Sequence, residues 1–131
     1  MMLLEHFYTL HSITPLDAST WCIVAALHPE HPLYQGHFPG QPVVPGVCML
    51  QLIKECAEDI RRQPLQYAQI GSCKFLSAID PTKNAMLELT LKLAETADGQ
   101  LQLLAEGKAG DDCFIKLKAQ LTQQAAPLIQ Q

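Results

Sequence analysis

Charge, aromatics and basic residues are all scarce in this chain, and each scarcity removes a class of function. Charged residues make up 17% of the sequence and aromatic residues 6%. Nine Lys and Arg stand against thirteen Asp and Glu, for a net charge of −4. The electrostatic footprint of a nucleic-acid binder or of a polybasic membrane patch is therefore missing. No apolar run approaches the roughly 20 residues needed to span a bilayer, and the opening residues lack the basic stretch of a secretory signal. The cysteines at 22, 48, 56, 73 and 113 are odd in number and form no Cys-x-x-Cys, which fits reduced, mostly buried thiols in the cytoplasm. His28-Pro29-Glu30-His31 sets two histidines at i, i+3, but the proline marks a loop and no third ligand stands nearby, so no metal site is expected. His6 and His11 read as ordinary polar residues.

The apolar pattern is informative. A chain of 131 residues suits one domain that buries about two-thirds of its unfolded surface. Residues 5–13 read as a first strand or lead-in. Thr20–His28 is β-rich and apolar throughout, as expected of a strand buried on both faces. From Gly46 the period changes: Met49, Ile53, Cys56 and Ile60 recur at helical spacing, which predicts a helix to about Arg62, closed before Pro64. At about 100° per residue Gln51, Lys54, Glu55 and Glu58 share the opposite, polar arc. Val47 and Cys48 fall in or near it, so the first turn reads as apolar all round and buried, the last turns as wet. Cys48, among Val47, Met49 and Leu50, reads as a packed core thiol.

Four strands follow: Tyr67–Ile79, Met86–Ala94, Gln100–Lys108 and Cys113–Leu121. In the second, Leu87, Leu89, Leu91 and Leu93 alternate with Glu88, Thr90 and Lys92, the period of a half-buried strand. Ala97-Asp98-Gly99 and Ala109-Gly110-Asp111-Asp112 read as hairpin turns. Strand, helix, then antiparallel meander is an α+β layout. Residues 122–131 read as a loose tail after a single domain at 1–121.

The segment Gly36-His37-Phe38-Pro39-Gly40-Gln41-Pro42-Val43-Val44-Pro45-Gly46-Val47 carries the chemistry. Its three prolines fix φ and remove N–H donors, so it is a stiff irregular loop, not a strand. The loop holds His37 shortly before a helix N-terminus, whose unpaired N–H groups and positive dipole end suit a carbonyl oxygen or oxyanion. A base beside an oxyanion site is what enolate chemistry requires.

The pattern His-Phe-Pro-x-x-Pro-x-x-Pro-Gly-Val resembles the signature of the 3-hydroxyacyl-[acyl-carrier-protein] dehydratases of fatty-acid synthesis, hotdog-fold lyases of the FabZ and FabA type. The stretch from Ile70 to Pro81 is similar to that family's next strand, and the resemblance covers about residues 20–121. It implies one long central helix wrapped by a curved antiparallel sheet, and pairing into a homodimer or a trimer of dimers. Family sites lie at the subunit interface, so His37 of one chain would face residue 51 of the other. It further implies His37 as base, the Gly46 N–H as donor to the thioester oxygen, and Phe38, Pro45 and Val47 as substrate contacts. No cofactor is implied, and the expected partner is an acyl-carrier-protein or CoA thioester. An acidic carrier would need a local basic patch, for which Arg61, Arg62, Lys74 and Lys83 are candidates.

One departure matters. The family places a Glu or Asp fourteen residues after its histidine, and here that position is Gln51. An amide can orient a hydroxyl or a water but cannot protonate it. Glu55 lies one turn further, where the family has a Gln, so acid and amide look exchanged. Two readings of Glu55 stand open: a displaced acid, or a solvated face residue near Lys54 and Glu58. A dehydratase-like lyase leads. A hotdog thioesterase with Glu55 as base and a non-catalytic thioester-binding homologue are the alternatives.

Overall fold

The computed structural model describes residues 6–35 and 42–124. Strands β1 (Tyr8–Pro15) and β2 (Thr20–Leu27) come first, and a 3-10 turn at Pro32–Gln35 follows. Helix α1 (Gly46–Arg61) precedes strands β3 (Leu65–Phe75), β4 (Met86–Glu95), β5 (Leu101–Ala109) and β6 (Asp112–Gln123). The six strands make one antiparallel sheet in the order β1-β2-β4-β5-β6-β3, and α1 packs on one face of it. The core is the meeting of two periodicities. Leucines 87, 89, 91 and 93 line the inner face at period two, and Leu52, Ile53, Cys56 and Ala57 answer from the helix; all are buried.

The boundaries shift where side-chain partners decide them. β1 runs from Tyr8 to Pro15 rather than 5–13, in register with Trp21–Leu27. β2 is fully buried on one face only: Ile23, Ala25 and Leu27 are covered, while Cys22, Val24 and Ala26 are half-buried. β3 starts at Leu65 and ends at Phe75 rather than Ile79, because the Val44 N–H donates to the Ile79 carbonyl at 3.0 Å. That bond draws residues 76–79 off the ladder toward the helix entrance. β6 reaches Gln123, into the stretch expected to be tail, because Leu65 and Gln66 offer it partners; residues 125–131 of that stretch lie outside the described residues.

The helix stops where expected. Arg62 adopts a left-handed conformation (φ 57°) and its N–H closes on the Glu58 carbonyl. In the β5–β6 hairpin, Gly107 lets the chain pass beneath Phe114; a Cβ there would stand 2.5 Å from the ring and 2.8 Å from Leu89.

Candidate active site

The start of α1 is bare. Pro45 is the N-cap, in extended backbone (φ −65°, ψ 145°), and among the described residues no side chain caps the turn. Its carbonyl accepts from the Cys48 N–H at 3.0 Å and the Met49 N–H at 3.3 Å. The Gly46 and Val47 N–H groups precede these and lie outside the helical ladder, at the positive end of the dipole. Gly46 has a specific reason to be glycine: a Cβ would come within 2.8 Å of the Phe75 ring. Gly46, Val44, Met49, Phe75, Ile79 and Phe114 are among the residues lining an apolar cavity of about 460 Å³. The first residue of the helix therefore borders a space suited to an acyl chain.

The next turns are the opposite, with the side chains of Gln51, Lys54, Glu55 and Glu58 each holding a partner. Glu55 is 6% exposed. Its Oε1 accepts from the Tyr8 hydroxyl at 2.7 Å and its Oε2 from the Gln51 Nε2 at 2.9 Å. The Tyr8 phenol is pushed well above its ordinary range by burial first and then by its bond to Glu55, so it stays a donor at neutral pH. Lys54 donates to the Leu65 carbonyl at 3.1 Å, and Glu58 accepts from the Leu65 N–H at 2.8 Å. The polar arc of α1 thus faces β1 and the start of β3 rather than water. The reading of Glu55 as a solvated face residue is corrected: periodicity sorts polar from apolar, but it does not reveal that Tyr8 lies across from this arc.

Of the residues singled out from the sequence, the structure joins Gln51 to Glu55 and puts Pro45 and Gly46 at one helix start. Val47 is 74% exposed in the single chain, against the expectation of a first turn buried all round; the buried arc of α1 passes through Cys48 and Met49 instead. His37 and Phe38 lie outside the described residues. Cys48 is buried and its thiol is shifted upward by that burial, as a packed core thiol should be. The two candidate metal ligands have separate partners: His28 Nε2 lies 2.5 Å from Thr9 Oγ1, and His31 Nδ1 accepts from the Leu33 N–H at 3.0 Å.

Sequence reasoning missed Tyr8, Phe75 and Tyr34. Tyr8 and Phe75 act on site residues 47 and 29 positions away, a pairing no local pattern carries. Tyr34 precedes the His37 segment, stacks on Phe7 and buries a hydroxyl that has no hydrogen-bond partner among the described residues. Burial, then Cys48 and Asp80, keep its phenol protonated.

Comparisons with known proteins bear on the family and the fold. The family model described as ApeI dehydratase matches residues 14–113. Among curated proteins, the chain is 30% identical over 102 residues to the 3-hydroxyacyl-[acyl-carrier-protein] dehydratase FabZ of Aliarcobacter butzleri, covering 61% of this chain and 69% of that one. It is 27% identical over 95 residues to the FabZ of Syntrophobacter fumaroxidans, covering 60% and 65%. The matched stretch therefore spans about two-thirds of those relatives' length. Among solved structures, the dehydratase heterocomplex ApeI:P from Xenorhabdus doucetiae superposes with a TM-score of 0.69 at 21% identity, over 87% of this chain and 96% of that one. An uncharacterized protein from Erwinia carotovora superposes with a TM-score of 0.63 at 25% identity, over 88% and 93%. The fold is the hotdog, one helix against a curved six-stranded antiparallel sheet, and with the family match running through three-quarters of its length the chain belongs to the ApeI-like dehydratases.

Proposed function

We propose that the protein is a cytoplasmic lyase that dehydrates 3-hydroxyacyl thioesters held on acyl-carrier protein or CoA. The observation that carries this reading is the uncapped start of α1, with Gly46 opening onto an apolar cavity. His37 takes the α-proton, a task that suits an imidazole. The Gly46 and Val47 N–H groups stabilise the negative charge that develops on the thioester oxygen. The 3-hydroxyl then departs as water, taking one proton. Phe38, Pro45 and Val47 frame the acyl group.

Gln51 supplies no proton. Its amide nitrogen already donates to Glu55, so the carbonyl oxygen is turned away from that carboxyl as an acceptor for the leaving hydroxyl. Glu55 has both oxygens occupied, and we assign it the role of holding Gln51 rather than of acid or of thioesterase base. His37 then carries the proton from carbon to hydroxyl itself, or a second chain provides the acid. The second route has support in the solved relative, which is a dehydratase heterocomplex. β3 is a sheet edge with Ile70, Phe75 and Leu76 exposed, and such an edge calls for a partner. Pairing through it gives a homodimer or trimer of dimers, or a heterodimer whose other helix places a carboxylate opposite His37.

The test is hydration of a crotonyl thioester, measured beside thiol release from the same compound, for the chain alone and mixed with a second hotdog protein that carries the family's helix carboxylate. Hydration that His37→Ala lowers by about 10²-fold or more, at unchanged melting temperature, supports the reading. Thiol release without hydration replaces it with a thioesterase. Thioester binding with neither reaction, alone or mixed, makes the chain a binding protein.

A further inference from the structure

The outer face of the sheet, opposite α1, carries a charge pattern of which only Lys74 has entered the dehydratase reading, as a candidate contact to an acidic carrier. Side chains alternate between the faces of a strand, so the residues between the buried leucines point outward. The strand registers align them into rows. One row runs Thr20, Lys92, Leu104, Lys118, Ser72, and the next Thr90, Glu106, Lys116, Lys74. With Lys108 opposite Glu88, five of the chain's nine basic residues stand on this face beside two of its thirteen acidic ones. All five lysines are exposed and all line one shallow depression of about 550 Å³. Among the described residues none of the five is in an ion pair; the pairs there are Lys54–Glu58 and Arg61–Glu95.

Two features say this is more than a solvated face. Lys74 and Lys116 are direct cross-strand partners, and like charges so placed cost stability, so folding alone gives no reason for the pair. Leu104, 40% exposed, sits between Lys92 and Lys118 in the same row: an apolar centre with a charged rim is the layout of a protein interface. We propose that this face docks an acidic segment of a second, different protein, whose carboxylates meet the lysines around an apolar side chain on Leu104. Another copy of this chain would bring lysines against lysines in a symmetric contact. A nucleic acid would drive phosphates onto Glu88 and Glu106 and would find no aromatic lining on which to stack bases.

Fluorescence anisotropy with labelled poly-L-glutamate tests this, with duplex DNA and phosphatidylglycerol vesicles as competing probes. Poly-L-glutamate should bind the full chain and weaken as salt rises. Lys74→Glu with Lys118→Glu should lower affinity about tenfold or more. Lys74→Glu alone should lower affinity and raise the melting temperature, since it turns a repulsive cross-strand pair into an attractive one; that opposition of signs marks a residue kept for binding. Asn84→Asp, a negative charge added off this face, should leave affinity within about twofold. Equal loss in Asn84→Asp, no binding at low salt, or tighter binding of DNA or vesicles overturns the proposal.

Discussion

The two halves of α1 differ in how their polar groups are satisfied. From Pro45 to Val47 the backbone donors have no side-chain cap and the one small residue lies under an aromatic ring. From Gln51 to Glu58 every charged or amide side chain holds a partner, on β1, at the start of β3 or within the helix. An unsatisfied group is costly in a packed protein, so a helix that secures one end and leaves the other open has its open end available to a ligand. The difference yields a rule for single substitutions: changes at the held end act first on stability, and changes at the bare end act first on turnover.

The largest effect is expected at Gln51. Gln51→Glu sets two carboxyls against each other at the 2.9 Å contact with Glu55, so it should cost about 1–3 kcal/mol in urea unfolding. Adding Glu55→Gln restores one amide and one carboxyl with their places exchanged, which should recover the stability and raise hydration about tenfold by supplying a general acid. If the double variant stays as unstable as the single one, the bond between residues 51 and 55 does not govern this end. Gly46→Ala should come next. The Phe75 ring is half-exposed and can yield, so melting should move little while hydration falls about tenfold through the lost approach to the donors. Equal losses in both would erase the distinction between the ends.

The smallest effect is the pH dependence of the held end. Burial first, then Asp59 and Glu55, push the Cys56 thiol from its ordinary 9.0 up to about 12. A thiol is neutral when protonated, so the unfolded chain releases this proton at lower pH than the folded one. Its contribution is complete below pH 9 and is lost as pH rises from about 9 toward 12. Cys56→Ala should flatten that part of a stability–pH curve.

The meander was legible because leucines 87, 89, 91 and 93 are an alternation that means the same thing in any chain, and the helix because apolar period and Pro64 agreed on its span. The Pro45–Gly46 start was legible too, since proline and glycine impose their geometry locally. Glu55 was not. Its state depends on Tyr8, which a strand pairing brings across from the helix, and one residue's slip in that register would have sent the phenol to the other face.

The sequence by itself determined the elements, their order and the bare helix start, because these follow from periodicity and from the backbone limits of proline and glycine. Only the tertiary structure decided which polar groups meet. The tie from Glu55 to Gln51 and Tyr8 is one such decision. The gathering of five lysines, spaced from 74 to 118, onto one sheet face of an acidic chain is another. Net charge is a sum over the whole chain, and a patch is a matter of register between strands, which composition does not contain.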